Sequence, residues 1–442
     1  MKKLHIFIVL FLFSMTTFGQ EIIINQQSDS IALKTSKSYD LAFKKGEIYR
    51  FYFGKPTISF EIKLSLNGKV IKNYSHYPDN NSFILFDIIS TETANYQLVI
   101  NRIKESWNRE KGKFVVKISQ FDAQQKVEKL KIIKELETEN KKNVQTLDII
   151  HFYEAFDNLK NCKTKQDSID SFQKLYLDRA TDGLSDFINK RFFTATEYAR
   201  LAGKFPKFYD SLRKNLTAVN EASPTVEKII SNFSKIYKNY HPVKVCFAIG
   251  ITNTGGTISD DFMLIGSEIT TSNNDVDLSE FPKGSWESGV LQDTSKNILQ
   301  KISSMVAHEY VHTQQNWKNS PNAIDCILLG QSLREGMCDF VGEKISGGNQ
   351  INMGKHIYGN AHEKELWENF KAELCDSKTK NWMYNSDVKD KPSDLGYYIG
   401  YKIVEEYYKN VTDKTQAISD ILEMNDPISF LQKSKYDQKI KR

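Results

Sequence analysis

The stretch Ile302-Ser303-Ser304-Met305-Val306-Ala307-His308-Glu309-Tyr310-Val311-His312 decides how the rest of the chain is read. On a helix, residues four apart lie one turn apart on one face, so His308 and His312 can offer both imidazoles to one cation. Glu309 lies beside that face, where it can take a proton from a water on the same ion. Two neutral imidazoles and a carboxylate with an open fourth position suit zinc, and water on such an ion titrates near neutrality. Ile298, Leu299, Ile302, Met305 and Val306 form an apolar stripe that would bury this helix, predicted over 298–317. With eight His in the chain, an HExxH arises by chance in about one such sequence in a hundred. Paired histidines can also be ordinary core or surface residues, so context has to carry the reading.

The context is Arg334-Glu335-Gly336-Met337-Cys338-Asp339-Phe340. Glu335 follows His312 by 23 residues, room for a turn and a returning antiparallel helix. Asp339 lies one turn further along the same face. A carboxylate ligand followed by a carboxylate that accepts a histidine N–H is what a zinc helix pair requires. The plain alternative for Glu335 and Asp339 is a solvated helix face. Cys338, three residues after Glu335, is either a small buried packing residue or a thiol near the ion.

HExxH followed by a helix bearing Glu-x-x-x-Asp resembles the gluzincin clan of zinc metallopeptidases. His-Glu-Tyr-Val-His-x-x-Gln and Glu-Gly-x-x-Asp-Phe are similar to a bacterial family described as predicted zinc-dependent proteases. The resemblance covers roughly 243–408. It implies one zinc per chain on His308, His312 and Glu335, with Asp339 orienting one of the two histidines. It also implies Glu309 as general base and hydrolysis of a peptide or protein substrate. Cys338 departs from the Ala or Ser usual at its place. In the aminopeptidase branch of the clan a Tyr three residues before a Gly stabilises the oxyanion, and Tyr397 stands at that offset from Gly400. Packing is the other role open to Tyr397. His356 and His362 are rival donors, or else surface histidines. The clan also pairs an edge strand with the substrate backbone, and Gly255-Gly256-Thr257 would allow close approach; an ordinary hairpin turn is the alternative. Gly266-Ser267-Glu268 is similar to the aminopeptidase segment that grips a free amino terminus, but one residue out of register, which does not support exopeptidase action.

Outward from the motifs, 243–251 and 262–269 read as strands, and 324–345, 363–374, 394–409 and 415–424 as helices. Thr294-Ser295 is the expected cap of the HExxH helix. Residues 124–240 read as helical, punctuated by Pro206, Pro224 and Pro242. Before them come short apolar or alternating runs at 22–24, 49–53, 58–66, 83–89, 96–103 and 114–118. Asn67-Gly68 and Asp79-Asn80-Asn81 mark turns, and the pattern suggests a β-sandwich. Segments such as Lys45-Gly46-Glu47-Ile48-Tyr49 resemble the accessory sandwiches of secreted bacterial enzymes; an unrelated sandwich would read alike. The expected organisation is multidomain: a signal peptide at 1–19, an all-β sandwich accessory domain at 20–120, a helical connector at 121–240, and an α+β zincin-like catalytic domain with a small sheet and the HExxH helix at 241–442.

Lys2-Lys3, the apolar run 4–13 and the small residues to Gly19 have the form of a signal peptide cleaved before Gln20, which predicts a periplasmic or secreted protein. An N-terminal membrane anchor is the alternative reading. No later run is long enough to span a bilayer. The net charge of +5 is small and interspersed, which argues against nucleic acid or an anionic membrane as partner. Five cysteines without a CxxC permit a disulfide and leave at least one thiol, with the pairing and the oligomeric state open. The rival to an enzyme is an exported adhesion or regulatory protein whose HExxH domain holds zinc without cleaving. Glu309 argues against it, since a structural site has no use for that carboxylate.

Overall fold

The computed structural model describes residues 27–32, 35–76, 83–103, 111–285, 289, 291–292, 297–316, 326–348, 353–385, 388 and 390–440. The expected signal peptide, the run at 22–24, the turn at 79–81 and the expected cap at Thr294-Ser295 lie outside those residues. The chain divides into two compact units, 1–131 and 132–442. The division falls within the helix Ala123–Asn140.

Among the described residues, the first unit is built of β-strands up to the start of that helix. Its strands are β1 (Gln27–Ala32), β2 (Ser36–Phe43), β3 (Ile48–Gly54), β4 (Phe60–Leu66), β5 (Lys69–His76), β6 (Phe83–Ile89), β7 (Ala94–Arg102) and β8 (Lys111–Gln120). They form two antiparallel sheets, ordered β1-β8-β3-β6 and β2-β7-β4-β5. Period-two alternation produces the core. Phe60, Ile62 and Leu64 of β4 and Ile84, Phe86 and Ile88 of β6 point inward and join one apolar cluster drawn from both sheets. Asn67 and Gly68, at φ 51° and 78°, make the tight turn from β4 to β5 that their sequence announces.

The second unit is largely helical, with a small mixed sheet. Its strands are β9 (Val144–Gln145), β10 (Lys244–Ala248), β11 (Gly256–Ile258) and β12 (Phe262–Gly266), in the order β11-β12-β10-β9. β10 runs parallel to both β9 and β12, and β11 lies antiparallel to β12 at the edge. Residues 254–257 are therefore not a turn between neighbouring strands. The chain leaves β10, passes beyond β12, runs as β11 and returns through 259–261. Every residue of β12 is buried. Pro224 does not break its segment: one helix runs Pro206–Ile236. Its buried stripe of Leu212, Leu216, Val219, Ala222, Val226, Ile229 and Phe233 continues past the proline, which sits on the exposed face.

Three helices carry the residues that the sequence motifs single out. The motif helix, Ile298–His312, is capped by Asn297, whose side chain accepts the Gln300 N–H at 3.0 Å. Its buried face is narrower than the sequence stripe, for Leu299 is 40 % exposed. The acid helix, Ile327–Ile345, carries Glu335, Cys338 and Asp339. The tyrosine helix, Leu395–Asn410, carries Tyr397. The last two cross with their backbones in contact. A Cβ on Gly336 would stand 2.2 Å from the Gly400 carbonyl carbon, and one on Gly400 would stand 1.7 Å from the Ser332 oxygen. Just ahead of the acid helix, Cys326 is joined by a disulfide to Cys375, while Cys162, Cys246 and Cys338 are free. Among the described residues, no helix is long and apolar enough to cross a membrane.

Candidate metal centre

Tyr310 fixes the rotation of the motif helix. Its side chain is buried on the face opposite the histidines, and its hydroxyl donates to Val243 O at 2.8 Å, where the chain enters β10. His308 and His312 are thereby turned toward the acid helix. His308 Nε2 and His312 Nε2 each lie 3.3 Å from the same oxygen, Glu335 Oε2.

The other ring nitrogens are engaged elsewhere. His308 Nδ1 lies 2.7 Å from Asp339 Oδ1. A carboxylate only accepts, so this nitrogen carries the proton. Asp339 is 1 % exposed; of the two histidines it was expected to orient, it engages His308. His312 Nδ1 lies 2.9 Å from Gln315 Oε1. The Gln315 amide nitrogen donates to Arg334 O at 2.8 Å, which orients the amide and makes His312 Nδ1 the donor. In the sequence Gln315 stands only as the last residue of the His-Glu-Tyr-Val-His-x-x-Gln pattern; its place three residues after His312, at the helix end, is the signal of its role.

Two Nε2 atoms and one carboxylate oxygen thus face one another, an arrangement that calls for positive charge among them, whether a proton on an Nε2 or a metal cation. Burial disfavours a charged His308, yet the bonds to Asp339 and Glu335 outweigh it and raise its pKa to about 10. Burial likewise pushes Glu335 up, but His308 and His312 hold its carboxyl far below the usual range. The pocket thus favours positive charge at its centre. Tetrahedral bonds of zinc length set ligand atoms about 3.3 Å apart, which is the spacing from Glu335 to each imidazole.

Cys338 also approaches. Its sulfur lies 3.3 Å from His312 Nδ1 and 3.6 Å from Nε2, and His308, His312 and Cys338 could together hold an ion. However, the thiol donates to Arg334 O at 3.3 Å, and burial, then the charges of Glu335, Asp339 and Glu309, keep it protonated. The carboxylate is the better donor here.

Around this cluster, Glu309 lies against the edge strand: a Cβ on Gly256 would be 3.3 Å from Glu309 Cγ. The Tyr397 ring stacks on His308 at 6.0 Å between centroids. Burial, then the charge of Glu335, pushes the Tyr397 hydroxyl far up, so it remains a donor. The Tyr384 hydroxyl reaches Glu335 Oε1 at 3.5 Å from a backbone at φ 54°, and nothing in its surrounding sequence marks it. The ring contacts of the rival histidines are with other tyrosines. His356 is buried, not at the surface, edge-on to Tyr398 and Tyr401. His362 stacks on Tyr358. Glu268 is internal and accepts the Gly250 and Thr252 N–H groups.

Residues 290–426 match the model of a family described as "Predicted Zn-dependent protease (DUF2268)". That span includes both metal motifs and Tyr397, and it supports a zinc-protease family for this part of the chain. No curated protein matches the chain. Among solved structures, the periplasmic inhibitor of g-type lysozyme from Aeromonas hydrophila, PliG, is similar at 13 % identity and a TM-score of 0.18, over 24 % of this chain and 93 % of that one. At that score the likeness carries no argument.

Proposed function

We propose that this chain is an exported zinc-dependent peptidase of the gluzincin type, with His308, His312 and Glu335 as metal ligands and Glu309 as general base. The observation that carries the reading is the convergence of two Nε2 atoms on one carboxylate oxygen at 3.3 Å, with each Nδ1 engaged by a partner of its own. The donor set and its spacing fit zinc. An antiparallel edge strand beside the helix that bears the general base supports the zincin-like reading of the catalytic domain. Export is supported by the N-terminal sequence and is compatible with the Cys326–Cys375 bridge.

Zinc bound there supplies a Lewis acid and acidifies a water to near neutrality. Glu309 takes the proton of the attacking water and returns it to the leaving amine. The Tyr397 hydroxyl, held protonated, donates to the carbonyl oxygen as charge builds on it. Asp339 and Gln315 hold the imidazoles in the tautomer that keeps Nε2 free.

Metal analysis and a peptide-cleavage assay on the wild type and Glu309→Gln test the reading together. Both proteins should retain one zinc, and the variant should lose turnover by about a thousandfold or more. A Glu309→Gln protein that still cleaves, or a wild type that takes up no zinc, would overturn it.

A further inference from the structure

The group left unexplained beside the centre is Arg191. It ends the helix Asp182–Arg191, and its guanidinium reaches toward the start of the edge strand β11, where Nη2 donates to Thr254 Oγ1 at 3.1 Å. The Thr254 hydroxyl in turn donates to Gly256 O at 2.7 Å. Gly256 is the residue whose Cα faces the Glu309 side chain. Arg191 and Glu309 therefore both neighbour the stretch 254–256 that enters β11.

The guanidinium is half-buried, and among the described residues no carboxylate lies within ion-pair distance of it. Its Nε–H is buried without an acceptor. Burial lowers its pKa, and the charge that acts against this is that of Glu309. A half-buried cation without a contacting anion is unfavourable, and its unpaired N–H adds to the cost. Holding up Thr254 does not account for it, since a neutral donor would serve a hydroxyl as well. A planar guanidinium is the side chain best matched to a carboxylate.

Resting on the peptidase reading, we infer that Arg191 is a specificity-determining residue that binds a carboxylate of the substrate lying along β11. The carboxylate is either an acidic side chain or the free C-terminal group of a short peptide. The positive charge also offsets the repulsion that Glu309 exerts on an anionic substrate.

Quenched fluorescent hexapeptides test this, each made with a free or an amidated C-terminus and with Glu or Gln at each position in turn. The zinc-loaded wild type should prefer the carboxylate form at one locus by about tenfold or more in kcat/KM, mostly through KM. Preference for free acid over amide identifies the C-terminal carboxylate, and preference for Glu at one position identifies a side chain. Arg191→Gln should bring the ratio near one, and Arg191→Lys should restore part of it. Equal cleavage of paired peptides by the wild type, or a ratio that survives Arg191→Gln, overturns the inference. A wild type that cleaves none of the peptides fails the peptidase reading instead. In that case anisotropy of the same labelled peptides on the intact protein decides the role of Arg191 by the same ratio.

Discussion

At the scale of single residues, the site depends on groups that touch no substrate. Gln315 is the clearest. Its amide accepts from His312 Nδ1 and is itself fixed by Arg334 O. Losing such a partner weakens metal binding by about 10- to 100-fold. Gln315→Ala should therefore lower zinc affinity in chelator competition by that order, while Cys338→Ala should leave it within about threefold, since the proposed ligand set is His308, His312 and Glu335. Cys338→Ala losing zinc as severely as Glu335→Ala would transfer the ligand role to the sulfur. Glu268 gives a second prediction, separate from the metal. Burial raises its pKa from 4.5 to about 7, against two backbone N–H groups that favour the anion. The fold prefers the protonated acid, so its contribution to stability is complete below pH 4.5 and is lost as pH rises toward 7, on the order of 3 kcal/mol in all. Glu268→Gln lacks that loss. Urea unfolding at pH 5, 6 and 7 should show the variant gaining on the wild type with each step, and parallel curves would refute the assignment.

At the scale of elements, the glycines explain what periodicity could not. Glu335-Gly336 and Tyr397-x-x-Gly400 read in sequence as motif residues; in the fold, Gly336 and Gly400 let the acid and tyrosine helices touch backbone to backbone. The contact seats the helix that carries Tyr397 directly on the one that carries Glu335. A methyl at either position must push the helices apart, because the atoms it meets are backbone. Gly336→Ala and Gly400→Ala should each destabilise the protein by roughly 3 kcal/mol or more and lower zinc affinity as well. Gly289→Ala, which meets nothing, should do neither. Elements whose signal is local were legible: β6 and the motif helix follow directly from alternation and from the HExxH stripe. The edge strands β5 and β11 were not. β5 leaves Val70 47 % and Ile71 39 % exposed, so the alternation that reports a buried face is blurred. β11 has three residues, two of them Gly and Thr in a run that local chemistry assigns to a turn. Its strand character comes from β12 alongside. The long helix through Pro224 was hidden for the opposite reason, a local break signal overridden by a continuous buried stripe. The candidate cluster of His308, His312, Glu309, Glu335 and Asp339 could be read because spacings of one and four residues are written along helices. Tyr384, which meets Glu335, and Arg191, which meets Thr254, could not, since each comes from a segment far away in sequence.

At the scale of the whole molecule, the candidate centre draws every ligand from the 132–442 unit, and the sandwich core is built only from residues 31–118. A metal that binds the folded state but not the unfolded one stabilises by mass action, by about 2.7 kcal/mol when free metal is a hundred times its dissociation constant. That gain belongs to the unit that supplies the ligands. Calorimetry of the full chain should therefore resolve a transition that rises when zinc is added to chelator-treated protein, by a few degrees for a unit of this size. The sandwich transition should stay where it was. His308→Ala should abolish the zinc-dependent rise. The assignment predicts a further contrast, for Arg50→Ala in the sandwich removes the fork to Asp87, with bonds of 2.7 and 2.9 Å. That change should lower the other transition and leave the response to zinc unchanged. A zinc response that moves both transitions equally, or follows Arg50→Ala rather than His308→Ala, would place the ion outside the two motif-bearing helices.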